Sequence, residues 1–318
     1  MKKITILTIL VVVMTVFASV ALVGCSEKQV IGIIQFGEHE SLNDCYNGLI
    51  EGLKEGLGPD YDSYVIERQN SNFDASLSAT QAQTFVNKNV KMISAIATPS
   101  AIAAAFSANG AIPVVYCAVS DPVAAGLTVK PNVTGSSDLL DFDSQLELIK
   151  KFIPSVTKIG VLYTLGEANS ISQIASLKTK ATALGIEIVE QTITNANEIP
   201  TATDTLIAKG IDCITNLTDN TVVGALDVIL QRTNTAKIPV FGSEIDQVKS
   251  GCLASASLDY VALGKSTGLI MAKILKGEIV ASNDEAIQVK DSFNCYSASV
   301  AQELGITLPD VTEMTNVD

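Results

Sequence analysis

VIGIIQFGEHES, starting at Val30, and KIGVLYTLGEANS, starting at Lys158, are two versions of one design: an apolar run, a glycine-acid turn, then a hydroxyl or amide at a helix start. Two further pairs follow in the same order. KMISAIATPSAIAAAF at Lys91 is echoed by DCITNLTDNTVVGAL at Asp212, and AIPVVYCAVSDP at Ala111 by KIPVFGSEID at Lys237. The offsets are nearly constant: Ile31 to Ile159 is 128, Thr98 to Asp219 is 121 and Ile112 to Ile238 is 126. Three ordered matches imply two similar lobes in tandem, and no short-period solenoid repeat is present.

Around these stretches, apolar runs alternate with amphipathic ones. Strands are expected at 30–36, 64–69, 92–97, 112–119, 158–164, 186–191, 213–217 and 238–241. Helices are expected at 42–57, 76–86, 100–108, 144–152, 171–184, 199–208 and 221–232. Continuous apolar strands separated by helices give parallel sheets covered on both faces. The fold class is therefore α/β, with two doubly wound parallel-sheet lobes joined by a multi-strand hinge. NVTGSSD at Asn132 ends the first lobe, and LASASLDYVALGKSTGLIMAKILKGE leads out of the second into a long helix. The expected domains are 25–137 plus about 256–285 for the N-terminal lobe, and 138–255 plus about 286–318 for the C-terminal lobe. Several crossing segments make a hinge that bends around a ligand.

Residues 1–24 stand apart. Lys2 and Lys3 precede an uncharged run from Ile4 to Gly24, which ends in Leu22-Val23-Gly24-Cys25. That order reads as a secretory leader followed by a lipidation site at Cys25, placing the globular part on the extracytoplasmic face of the cell membrane. An uncleaved apolar anchor is the competing reading, since the run is long enough to span a bilayer. Removing the two lysines takes the formal charge from −13 to −15. An acidic chain without a basic stripe excludes nucleic acid as a partner. The remaining cysteines, Cys45, Cys117, Cys213, Cys252 and Cys295, are odd in number, widely spaced and set mostly among apolar residues. They read as small buried hydrophobes, with a disulfide pair left open. His39 is the single histidine and has no ligand cluster around it, so no metal and no cofactor is expected.

Ligands of parallel α/β sheets bind beyond the carboxyl ends of strands, where helix N-termini also point. Those ends carry Gln35, Phe36, Glu38 and His39; Ala97, Thr98 and Pro99; Asp121; Ser136, Ser137 and Asp138; Tyr163 and Asn169; Asp219 and Asn220; and Glu244. Thr98-Pro99 reads as an N-cap and first helical residue that can receive a carboxylate. Asp121 can pair with an ammonium or form a turn before Pro122. Each group also has a plain capping role. Their recurrence in both lobes points to a cleft with acids on one side and helix starts on the other, suited to a zwitterion. Phe36, Tyr116 and Tyr163 offer walls for an apolar side chain, or ordinary core packing. No GxSxG elbow, P-loop or GxGxxG follows the first strand, and one histidine without a nucleophile does not carry hydrolysis.

The stretches IGIIQFGEHESLND, AIATPSA, IPVVYCAVSDPVAAGL, NVTGSSD, IGVLYTLGEANS, TDNTVV and GLIMAKILKGE resemble the ABC transporter substrate-binding lipoproteins of the tryptophan/tyrosine-binding type. The resemblance runs from about Val30 to Val289. It implies a type I periplasmic-binding-protein fold with three crossings, a lipid anchor, ABC permease subunits as partners and an aromatic amino acid as ligand. The family's cleft motifs fall on the residues named above, with Phe36 and Tyr163 added from the reading of the strand ends. Two departures stand out. Glu40-Ser41 stands where a proline commonly follows the Glu-His pair, and NSNFDAS replaces an Asn-Ala-Gln-Gly-like stretch. The function expected is capture of a small solute for import. A surface sensor or adhesin on the same fold, and an extracellular hydrolase, are the alternatives.

Overall fold

The computed structural model describes residues 28–288 and 292–318. The leader expected at 1–24 and the lipidation expected at Cys25 fall outside the described residues. Eleven helices and thirteen strands are described.

The first half supplies β1 (Gln29–Gln35), β2 (Tyr64–Asn70), β3 (Met92–Ile96), β4 (Val114–Cys117) and β5 (Val133–Ser137). The second supplies β6 (Lys158–Thr164), β7 (Glu187–Ile193), β8 (Cys213–Thr215), β9 (Val240–Phe241) and β10 (Ala254–Leu258). The two halves wind identically: the first sheet runs β2-β1-β3-β4-β5 and the second β7-β6-β8-β9-β10. Every pairing in the first sheet is parallel. Parallel strands covered on both faces are hidden from water on both, and β3 and β4 are buried at every residue. The sequence echo is thus a repeat of topology as well as of motif.

Three crossings join the lobes. The chain leaves β5 at Ser137 and enters α4 (Phe142–Phe152) over the second sheet. From β10 it returns through Asp259, which caps α10 (Tyr260–Leu275), and α10 packs on the first lobe. β11 (Ile287–Gln288) pairs with β5, whereas β12 (Ser292–Tyr296) pairs with β10 and is in turn joined by β13 (Thr315–Asn316). By sheet membership, Ala256–Leu258 belong to the second sheet and Ile287–Gln288 to the first, so both returns fall slightly later than 256 and 286.

Four local differences have physical causes. NVTGSSD, expected as a hinge, contains a buried central strand, because its small residues admit close neighbours on both faces. Its counterpart LASASLD likewise contains β10. The strand expected at 112–119 is clipped to Val114–Cys117 by Pro113 and by Ala118, which has φ +55°. The helix expected at 221–232 is two pieces, α7 (Asn220–Val223) and α8 (Leu226–Ala236), broken at Gly224-Ala225. The five described cysteines are all buried and free.

Helix α1 (Glu40–Leu57) meets α10 along glycines. A Cβ on Gly48, Gly52, Gly264 or Gly268 would fall closer than 3.0 Å to backbone atoms of the opposite helix. The two helices therefore touch main chain to main chain, which fixes the first lobe as one block. Gly268→Ala gains about 1 kcal/mol of helix propensity but pushes rigid backbone apart, at an overpacking cost of about 1–3 kcal/mol. With two backbones in the way we expect the upper end, a net loss of about 2 kcal/mol. Urea unfolding should show a lower midpoint at unchanged slope. A variant as stable as the wild type would contradict the close approach.

Candidate functional site

The strand ends of both sheets face one another across the hinge and enclose a tight cleft, with about 20 Å³ left for the centre of a water-sized sphere. The first lobe contributes His39, Ser41, Leu42, Thr98, Ala118, Ser120, Asp138 and Tyr260. The second contributes Asn169, Thr218, Asn220, Val223, Ser243, Glu244 and Gln247.

At the floor lies Asp138, buried at the first crossing. It accepts hydrogen bonds from Ser120 Oγ at 3.0 Å and Tyr260 Oη at 2.8 Å. Burial raises its pKa against those two bonds. Opposite, Glu244 caps α9 (Ile245–Lys249), accepting from the backbone amides of Asp246 at 2.6 Å and Gln247 at 2.9 Å. Burial pushes it up to about 7. No lysine or arginine lines the cleft. The charge pattern therefore asks for a cation beside the acids.

On the first lobe, α3 (Thr98–Ala108) begins at the cleft. Its N-cap is Ala97, not Thr98, and it makes no side-chain cap. Ala97 has φ +78° and Ala118 φ +55°, so two non-glycine residues beside the cleft hold strained backbone. The first-turn amides of α3 have no helical carbonyl ahead of them, and they carry the positive end of the helix dipole. Thr98 Oγ1, relieved of capping, has no partner at all.

Two other orphans join it. Among the described residues, five buried side-chain polar atoms lack a partner, and three of them belong to cleft residues: Thr98 Oγ1, His39 Nδ1 and Asn169 Oδ1. Each such atom costs about 1–3 kcal/mol if left so. All three belong to residues that line one cavity.

The second wall is built from carboxylates that never reach the cavity. Asp219 accepts from Thr164 N, Thr164 Oγ1, Ser170 Oγ and Val222 N. Glu167 accepts from Asn220 and Thr221, backbone and side chain alike, and from Asn169 Nδ2. Burial and the charge of Asp219 push Glu167 up to about 7. The lobes meet through Ser120 Oγ and Thr218 Oγ1 at 2.8 Å, through His39 Nε2 and Asn220 Oδ1 at 3.4 Å, and through Ser172 Oγ donating to Asp121.

Of the residues expected from sequence, His39, Thr98, Asp138, Asn169, Asn220 and Glu244 come together on the cleft. The rest do not line it. Gln35 braces its own turn through Gly37 O and Asn43 Oδ1. Phe36 and Ala97 pack in the first lobe's core. Glu38 is exposed and Pro99 buried within α3. Asp121 holds Ala124 N in a turn and meets Ser172. Ser136 bonds Thr267, Ser137 bonds Ser120 O, and Tyr163 donates to Glu190. Ser120, Thr218 and Ser243 were missed although each is adjacent to a chosen residue. Tyr260 was legible only through the parallel between NVTGSSD and LASASLD.

The chain matches the family of ABC transporter substrate binding proteins over residues 30–315. It is 39% identical over 261 residues to a tyrosine-binding protein of Clostridioides difficile strain R20291, covering 80% of this chain and 75% of that one. It is similar to a structure of an ABC domain in complex with L-Trp from Streptococcus pneumonia, with 33% identity, a TM-score of 0.84, and coverage of 89% and 96% of the two chains. To the ligand-free, open structure of a substrate binding protein with adhesive properties from Clostridium difficile it is 35% identical, covering 91% and 99%, with a TM-score of 0.67. At nearly equal identity the fit is better to the L-Trp complex than to the open, ligand-free structure, and in this chain hydrogen bonds join the two lobes across the cleft.

Burial holds His39 down from 6.5 to about 4, so its imidazole is neutral at pH 7. Unfolded, it would take its proton near 6.5. Stability owed to the neutral ring is present above 6.5 and lost as pH falls toward 4, by about 2–3 kcal/mol. Comparing wild type with His39→Gln by urea unfolding at pH 7 and pH 4 should show the difference swinging toward the variant by that amount. A pH-independent difference would mean the ring titrates normally.

Proposed function

Because the chain belongs to the ABC transporter substrate binding protein family, we propose that it captures one aromatic amino acid, tyrosine foremost, by closing its lobes over it. The observation that carries this reading is the pairing of unpaired polar atoms with opposed charge in one cleft. The α-ammonium sits with Asp138 and Glu244. The α-carboxylate takes the Thr98 hydroxyl and the first-turn amides of α3. Leu42, Ala118, Val223 and Tyr260 receive carbon. Asn169 Oδ1 and His39 Nδ1 turn to the ligand's remaining donors or acceptors.

The protein acts as a carrier rather than an enzyme, a reading supported by its membership of a family of substrate binding proteins. It hands its ligand to ABC permease subunits from the extracytoplasmic face, tethered by an acyl chain on Cys25. Cys25→Ser should release the protein from the membrane fraction into the medium; retention of the variant would favour an uncleaved apolar anchor.

A thermal-shift series with the twenty amino acids tests the ligand. Tyrosine, tryptophan or phenylalanine should stabilise, by about 2.7 kcal/mol at a hundredfold excess over Kd. Asp138→Asn removes one charge-assisted bond and should weaken binding by about 10- to 100-fold. No response to any aromatic amino acid would sink the assignment. The adhesive properties of the Clostridium difficile relative favour one second reading, a surface sensor or adhesin. Uptake left intact by deletion of this protein would move the assignment there.

A further inference from the structure

The turn between β2 and α2 (Ala75–Asn87) carries an aromatic residue in a costly conformation. Asn72 has φ +49° and Phe73 φ +62°. Left-handed backbone is uncommon for non-glycine residues, and a bulky side chain there is kept only where the surroundings over-determine it. Here they do. Phe73 N donates to Phe36 O at 2.8 Å and Asp74 caps α2 through Ser76 N and Leu77 N, so the turn is held from both sides.

What the strain achieves is the placement of the ring. Phe73 stands edge-on to Phe36, centroids 6.0 Å apart at 89°. It lies parallel to His39 within 5°, centroids 6.4 Å apart. Gly37 beneath it has no room for a Cβ. On the far side the ring reaches the other lobe, where a Cβ on Gly224 would sit 2.8 Å from Phe73 Cζ. Two glycines, one per lobe, thus make the slot that the ring fills. The ring does not line the ligand cleft; it lines an adjoining mouth of about 490 Å³ together with Phe36, Glu167 and Gly224.

We propose that Phe73 is a positioning residue that holds the cleft shut: carried on the first lobe, its ring seats on Gly224 of the second and backs the imidazole of His39, and so sets how fast a captured ligand escapes. The polar contacts between the lobes, Ser120–Thr218, His39–Asn220 and Ser172–Asp121, are exchanged for water on opening, which offsets most of what they contribute. Apolar ring surface is not compensated in that way, since opening returns it to water. Phe73 therefore contributes to closure without touching the ligand. The ligand's identity rests on the reading above; the seating of the ring does not.

Stopped-flow release of L-tyrosine tests the assignment. Phe73→Gly removes the ring and relieves the backbone at once. Release should accelerate about tenfold or more, with association changed by less than about threefold. The urea midpoint of the ligand-free variant should stay level or rise, because glycine adopts φ +62° freely. An unchanged release rate overturns the proposal, as does faster release accompanied by a lower midpoint, which would make Phe73 a mere support. Gly224→Ala fills the slot from the second lobe and should accelerate release similarly; the double variant should be no worse than Phe73→Gly alone, and additive effects would overturn the shared slot. If L-tyrosine does not bind, the ligand assignment fails separately. The distance distribution between one spin label on each lobe then still decides, since Phe73→Gly must deplete the closed population of the ligand-free protein, and an identical distribution overturns the proposal.

Discussion

Closing two polar walls on each other expels the water that had served their donors and acceptors, and everything in this cleft follows from how that loss is met. Most groups are met internally. Asn220, Thr221, Thr164 and Ser170 satisfy Glu167 and Asp219, and Gln247 is bonded to Asn216 and Ser243. A few are not, and they cluster: Thr98 Oγ1, Asn169 Oδ1 and His39 Nδ1. Each costs something to leave without a partner when the lobes close. A guest that pairs them recovers that cost, so the unliganded protein has reason to open and the liganded one reason to stay closed. Selectivity arises from the same bookkeeping, because a solute lacking the right donor or acceptor leaves the penalty in place.

The walls are built before the ligand arrives. Asp219 and Glu167 are buried carboxylates whose acceptor sites are filled by neighbouring residues, so they orient the turn at Thr218–Thr221 without competing for the ligand. Asp138 and Glu244 are held in the same manner on the cavity side, each by two donors. Fixing these groups in advance spares the ligand the ordering cost that weakens association at flexible sites. Burial raises the pKa of both, which disposes them toward an ammonium that restores the charged form.

Much of this was written into the sequence, and the exceptions share a cause. The repeat of motif predicted a repeat of winding, because apolar runs with matching ends can only form strands of matching register. NVTGSSD ends at a crossing as expected, but its middle is a buried strand, because small residues signal both flexibility and tight packing; which one holds depends on neighbours far away, here Tyr116 over Gly135 and Thr267 beside Ser136. Thr98 looked like a cap by local grammar, but the strained turn at Ala97 starts the helix one residue earlier and sets the hydroxyl free. Asp219 and Tyr163 stood at the right strand ends, yet local partners claimed their polar atoms. Strand ends can be located from sequence; which of two adjacent side chains points inward cannot, since one residue of register exchanges the faces.

The hinge and the ligand site share atoms, and this gives closure a direction. Asp138 lies where the chain first leaves the N-terminal sheet, and Tyr260 lies where it first returns; their 2.8 Å bond joins two crossings at the floor of the cleft. Tyr260 opens α10, whose glycines lock it to α1, and α1 begins beside His39. Asp138, Thr98 and His39 are therefore set in or beside one rigid body, whereas Asn169, Asn220 and Glu244 travel with the other. A ligand that first engages the acid at the hinge and the start of α3 can be held while the second lobe swings in, and only then do Asn169 and Glu244 meet it. Binding in that order makes the first lobe and hinge the site of recognition and the second lobe the site of retention, so substitutions in the two should separate into effects on association and effects on release.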